Sequence, residues 1–411
     1  MHPQRQQLHN ELHARPSIYF SEPAHVHHYA FFADADEHDD LLARLGTVTR
    51  GGIDTEAAQQ ILTLDDGSVL KWERHTEFST LTLMVPRTQQ TDPWPDPPTS
   101  LVEVVEAHRD SLINASLVRV EAEESWDGSV EAFGFSDPAG SRVGGGDATV
   151  WSDFRLTAAG VNRLLLVNHG LNAFRLGRMV RRLLEIETYR MMASLSLPLA
   201  KELAGELQGY ETELGELSDR NAEQENASAR PLLTALSRLS ARLERNGSRS
   251  RQRFSATEAY ARLVYARIEE LREARVGECP RLGTFILRRF RPTVHYCAAI
   301  HRRQESLAQS AARLNDLLRT RAQVEIEEQN SSILNSLDER ASIQLKIQKA
   351  VEGLSIIVIS YYVFSLFKLA LESLSALGIE IEPRTTAAIL VPLGGAIIGL
   401  LGWRIWRVKR H

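Results

Sequence analysis

The stretch Val351–Leu374, VEGLSIIVISYYVFSLFKLALESL, decides how the whole chain is read, because it is either the core helix of a soluble domain or a segment that enters a bilayer. Gly353 to Phe367 carries no charge over fifteen residues, which alone falls short of the roughly 20 mostly apolar residues that a span needs. A second segment resolves the ambiguity. After the polar stretch Ser375 to Arg384, Thr385 to Trp403 (TTAAILVPLGGAIIGLLGW) runs nineteen residues without a charge and closes with Arg404, Arg407, Lys409 and Arg410. It has no polar face and tolerates Gly394, Gly395, Gly399 and Gly402, as membrane helices do. The pair reads as a C-terminal two-helix transmembrane hairpin: residues 353–374 and 385–403, an external loop at 375–384 and a basic tail at 404–411.

Basic residues orient it. Arg340, Lys346 and Lys349 precede the first span and four Arg/Lys follow the second, while the connection carries only Arg384, so both ends are expected in the cytoplasm. Glu372, Glu380 and Glu382 then lie on or beside the external loop as candidate cation-attracting residues. Lys368 sits late in the first span, where it either snorkels outward or faces a bundle interior.

The overall charge of −5 hides an asymmetry. Residues 1–150 hold ten Lys/Arg against twenty-five Asp/Glu, and the remainder holds thirty-eight against twenty-eight. The acidic part argues against a nucleic-acid surface, and no nucleic-acid partner is expected. RNGSRSRQR (Arg245–Arg253) could favour anionic lipid or nucleic acid, but its Ser and Gly make a solvated linker the better reading. Cys279 and Cys297 have no metal spacing and suggest no disulfide framework. The N-terminus, MHPQRQQLHNELHARP, lacks the apolar core of a signal peptide, so insertion is expected to depend on the C-terminal hairpin.

Ahead of the spans, residues 1–156 read as an acidic α+β domain. HVHHYAFF is a strand, DADEHDDLLARLG a helix with acids in its first turn, and LTLDDGSVLKWERHTEFSTLTLMVP a hairpin around Asp66-Gly67 followed by a long β-run. PWPDPP is a rigid connection and Leu101–Leu112 a helix; LVRVEAEE, VEAFGFS and ATVWSDFRL supply further strands. SRVGGGDAT lacks the lysine of a phosphate loop and leads into a strand, so it is a hairpin loop. Residues 157–298 read as helical, with Leu164–Met192, Leu199–Ala222, Pro231–Arg245 and Thr257–Arg275 as elements. A stalk helix is expected over 299–352, since no proline falls between Ala298 and Leu377. Ile300, Leu307 and Leu314 recur at seven residues, as do Leu317 and Val324, which suits a bundle or coiled coil.

Three stretches carry a resemblance: ELHARP (Glu11–Pro16) with KWERHTEF (Lys71–Phe78), and VEGLSIIVISYY (Val351–Tyr362). Together they resemble a family of functionally uncharacterised bacterial membrane-anchored proteins over essentially the whole chain, which implies a bacterial inner (plasma) membrane but no reaction or ligand. The order of elements is also similar to CorA-type divalent-cation channels, pentamers whose long helices form a funnel. Their Gly-Met-Asn signature is replaced here by FSLFKLALESL, and no selectivity residue carries across.

Strand alternation in KWERHTEF puts Glu73, His75 and Glu77 on one face and Trp72, Arg74 and Phe78 on the other. Two carboxylates flanking an imidazole could hold a divalent cation or share a proton; a solvated strand face is the plainer reading. His25 and His27 share a strand face without a third ligand, so exposed strand histidines are expected. In ELHARP, His13 and Arg15 either present a titratable group and a cation to an anionic ligand or serve an ion pair and a turn. No Gly-x-Ser-x-Gly or His-Glu-x-x-His occurs to support a hydrolase. Three readings stay open: a homo-oligomeric cation conduit, pentameric by the CorA resemblance; an anchored scaffold or sensor with a cytoplasmic partner; and a metal-dependent enzyme using Glu73, His75 and Glu77.

Overall fold

Alternating apolar residues build one sheet, and what covers its two faces fixes everything that follows. The computed structural model describes residues 2–10, 16–49, 52–87, 92–223, 228–376 and 383–408. After a short helix α1 (Arg5–Asn10) come β1 (Ala24–Phe31), α2 (Ala35–Val48), β2 (Gln59–Thr63), β3 (Val69–Arg74), β4 (Ser79–Pro86), α3 (Thr99–Ala107) and β5 (Leu112–Ala122). Then follow β6 (Ala139–Val143), β7 (Ala148–Ser152), β8 (Asn162–Asn168), the helices α4 (Ala173–Ser194), α5 (Ser196–Glu223) and α6 (Arg230–Glu270), and a two-residue β9 (Ala274–Arg275). The chain ends with α7 (Leu282–Ala376) and α8 (Pro383–Val408).

The nine strands lie in the order β2-β3-β4-β1-β5-β8-β7-β6-β9. The β5–β8 pair is parallel, whereas β1 runs antiparallel to both β4 and β5, so the sheet is mixed. β1 is buried along its whole length because both faces are covered. Ala24, Val26 and Ala30 pack under α4, α6 and the start of α7 with Leu176, Met179, Val264 and Ile286. Tyr29 and Phe31 point the other way, into a second core with Leu41, Leu42 and Leu45 of α2 and Val104 of α3. The N-terminal unit is therefore α+β with a mixed sheet, and its helices lie on both faces.

Several expectations change. The helical region expected from residue 157 opens with β8, whose Leu164–Val167 run is buried on both faces and so lacks the alternation that marks a half-exposed strand. VEAFGFS is not a strand: Glu131–Phe133 form a single 3-10 turn ended by Gly134 at φ 73°. The region read as a linker, Arg245–Arg253, lies inside α6, where Arg249 pairs with Glu202 of α5. The stalk helix starts at Leu282 rather than near 299 and passes through Pro292; burial of Ile286, Phe290 and Val294 offsets the one backbone bond that a proline removes. Gly144, Gly145 and Gly146, all at positive φ, form the β6–β7 hairpin loop.

Beyond the sheet, α5, α6 and α7 pack together through buried aliphatic side chains, Ile300, Leu307 and Leu314 among them. Bonds from Arg242 to Glu213 and from Arg303 to Glu211 (2.5 Å) tie α6 and α7 to α5. The chain divides into two compact units, residues 1–225 with 231–316 and residues 226–230 with 317–411. In the second unit, α7 is the one helix among the described residues long and apolar enough to cross a membrane by length and composition, and its apolar window is wholly exposed. Within α8 the described apolar stretch is Ala387–Leu400, shorter than a full span. The expected hairpin thus has support from one of its two helices.

Candidate functional site

β3 turns Lys71 and Glu73 toward α4 while Leu70 and Trp72 fill the core under α2 and α3. Thr80, Thr82 and Met84 of β4 and Val26 and His28 of β1 share the α4 side. Opposite them, α4 presents Gly177, Arg181, Leu184, Glu185 and Thr188 at one-turn spacing. The segment Pro16–Phe20 closes the top: Ser17, Ile18 and Phe20 line the space, and the Ile18 carbonyl lies so near Gly177 that a Cβ there would meet it at 2.0 Å. A cavity of ≈ 50 Å³ remains among these groups.

Charged side chains stand in this wall among apolar groups, hydroxyls and two imidazoles. The Lys71 side chain is only 4% exposed; its ammonium lies 2.8 Å from Glu73 Oε1 and donates to the Pro16 carbonyl at 2.6 Å. Burial lowers the Lys71 pKa from its ordinary value, and the Glu73 carboxylate opposes that shift. Arg181 pairs with Glu185 at 2.7 Å, and Glu185 also accepts from Arg267 of α6. His28 is clamped between hydroxyls, Nδ1 at 2.8 Å from Thr82 Oγ1 and Nε2 at 3.0 Å from Thr188 Oγ1. Burial brings its pKa down to about 4, so the ring is neutral at pH 7. Asn114 donates to Thr188 and accepts from Ser116, extending the network to β5.

Of the residues the sequence singles out, Glu73 and His75 line this cavity, and His75 stacks on Phe78 with ring centroids 4.1 Å apart. Glu77 does not join them. β3 ends at Arg74, and the His75 N–H donates to the Phe78 carbonyl across a tight turn with Thr76 and Glu77 at its tip, which breaks the alternation assumed for a longer strand. Glu77 instead accepts from Arg253 (3.2 Å) and from the Tyr260 hydroxyl (3.1 Å), and Tyr260 stacks on Tyr189 at the cavity wall. Burial first, and then Glu77, raises the Tyr260 pKa. Arg74 is exposed. His13, Arg15, Glu380 and Glu382 lie outside the described residues, while Glu372 is 3.8 Å from Lys368, one turn away on α7. Among the described residues no three His, Cys, Asp or Glu side chains converge as a metal site would require, so the proposed divalent-cation ligand set does not form.

The strand histidines are buried rather than exposed. His25 and His27 face the α2 side, each with a pKa near 4 through burial, helped at His25 by Arg119 and Arg87. Both arginines bond Glu121. Sequence reasoning missed Lys71, His28 and Glu185 as site residues. For Lys71 the signal was available, since the alternation that pairs Glu73 with His75 also includes the residue two positions earlier.

Fold and site define an α+β unit with a pocket lined by apolar and ionised side chains, followed by a long helix with an apolar segment. The chain belongs to the family described as "Protein of unknown function (DUF3422)", which it matches over residues 1–411. No curated protein matches it.

Proposed function

We propose that this protein is a membrane-anchored sensor that binds a small polar ligand in the Lys71 pocket and is held at the bilayer by the apolar segment of α7. The observation that carries the reading is the pocket itself. Ionised Lys71, Glu73, Arg181 and Glu185 are kept in a largely apolar wall, an arrangement costly to maintain for stability alone and typical of a site that fixes a ligand by a few polar groups. The charge-free run Gly353–Phe367 and the basic residues on either side of the two apolar segments support an anchor in a bacterial inner membrane with cytoplasmic ends.

Thermal unfolding of the detergent-solubilised full-length protein, scanned against a panel of small polar metabolites, tests the ligand site. At least one class should raise the midpoint in the wild type and not in Glu73→Gln; a flat response across the panel would sink the reading. Alkaline washing of membranes from expressing cells tests the anchor, which requires the protein to stay in the pellet.

A homo-oligomeric conduit of the CorA kind is the second reading. The order of elements favours it: an α+β unit, packed helices, one long helix running into an apolar segment, then a second apolar helix. Light scattering of the solubilised protein separates the two, because a conduit needs a closed ring, of about five subunits by the CorA resemblance.

A further inference from the structure

We propose that the Lys71 pocket takes a small zwitterion, an α-amino acid of the size of glycine or alanine, with its carboxylate on the Lys71 ammonium and its ammonium group on Glu73. The inference rests on reading the pocket as a ligand site and adds the class of ligand.

Charge balance is the first argument. Lys71 and Arg181 face Glu73 and Glu185, so among the described residues the ionised side chains of the wall sum to zero, and both nitrogens of His28 are already engaged by threonines. A ligand with net charge would leave one charge uncompensated in a wall that includes Phe20, Phe78 and Leu184, where unpaired charge is expensive. A zwitterion exchanges one internal ion pair for two external ones and preserves neutrality.

Unfilled bonding capacity on both sides of the Lys71–Glu73 pair is the second. Glu73 Oε1 is engaged by the Lys71 ammonium at 2.8 Å, and a carboxylate has about four lone-pair sites, so it can accept a further donor. Lys71 also donates to a main-chain carbonyl, that of Pro16, at 2.6 Å. A ligand carboxylate would replace that neutral acceptor with a charged one, a stronger bond for an ammonium group. Size is the third argument. The cavity of ≈ 50 Å³ has room for about three to five waters, each needing roughly 10–15 Å³, so only the smallest amino acids, of about five non-hydrogen atoms, approach its size.

Isothermal titration of the solubilised full-length protein with glycine, L-alanine, L-leucine, acetate and methylamine tests this. Glycine or alanine should bind saturably, with leucine, acetate and methylamine weaker by about tenfold or more. Glu73→Gln and, independently, Lys71→Gln should each weaken the amino acid by about tenfold to a hundredfold, as losing a hydrogen bond to a charged group does. The unfolding transition of each variant, recorded alongside, keeps loss of fold from being mistaken for loss of binding. Should acetate bind as tightly as glycine and lose affinity in Lys71→Gln, the pocket remains a ligand site and the zwitterion assignment is overturned. Should a folded wild type bind none of the five probes while another compound stabilises it through Glu73, the assignment again fails and the wider reading stands. Silence from both the probes and the metabolite panel overturns both.

Discussion

Lys71 keeps its charge inside an apolar wall because Glu73 and the Pro16 carbonyl take the place of water. Removing one partner strands the other: Lys71→Met should cost about 3–5 kcal/mol in urea unfolding, the usual result of breaking a buried pair. Replacing both, as Lys71→Met with Glu73→Leu, should recover most of that loss. A single variant as stable as the double would mean that Glu73 finds water in place of its lost partner. His28 makes a second residue-scale prediction. Burial moves its pKa from 6.5 to about 4, so between these values the unfolded chain binds a proton that the folded chain refuses. Its contribution is fully present above pH 6.5 and is lost as the pH falls toward 4, at up to about 1.4 kcal/mol per pH unit. His28→Gln should flatten the fall in stability between pH 6.5 and 4 relative to wild type, whatever uniform loss the substitution brings. Parallel urea titrations at several pH values in that window would reveal an unchanged slope if the ring were already protonated in the fold.

At the scale of elements, what was legible in the sequence was what local chemistry decides. Asp34 caps α2 by accepting from the Glu37 N–H at 3.0 Å, Asp66-Gly67 turns the β2–β3 hairpin, and Gly144–Gly146 turn the β6–β7 one. What was not legible depends on distant partners. Leu164–Val167 is a strand because β5 and β7 flank it, and a short apolar run reads equally as helix. Arg245–Arg253 is helical because acids on α5 and the β3–β4 turn receive its arginines, and a string of arginine, serine and glycine announces none of them. The site was half visible for the same reason: alternation along β3 identified Glu73, whereas Arg181 and Glu185 arrive from a helix more than a hundred residues downstream. The close crossing of Ile18 over Gly177 was equally invisible, and it can be tested. Gly177→Ala must push Pro16–Phe20 off α4, at a cost of about 1–3 kcal/mol, with faster hydrogen exchange at Ile18 and Phe20. Gly205→Ala on α5 meets nothing within 4 Å and should instead gain about 0.5–1 kcal/mol. Equal effects of the two would refute the crossing.

For the whole molecule, the fate of α7 matters most. Its first part is core: Leu282, Ile286, Phe290 and Leu314 are buried. In the second unit the same helix leaves Ile326, Ile333, Leu337, Ile347, Val351 and Leu354 about half exposed or more. These side chains fall at intervals of seven, four, ten, four and three residues, which keeps them on one stripe of a helix. Burying each would contribute about 1.5–3 kcal/mol, and a lone helix in water gains little from propensity alone. In the proposed homo-oligomer a second copy of the chain would supply the same stripe at the same height, since every copy anchored as proposed by Gly353–Phe367 would enter the membrane at the same point. Asn330, Arg340 and Gln344 interrupt the stripe and would sit together at the axis, the kind of polar layer that fixes register at a cost in stability. The proposed homo-oligomer therefore predicts a multi-subunit mass in light scattering after subtraction of detergent. Ile333→Asp combined with Leu337→Asp should reduce it to that of one chain while the Lys71 pocket still responds to its ligand. A monomeric wild type would remove the oligomer and the conduit together, leaving α7 as a tether whose apolar stripe meets lipid or a different protein.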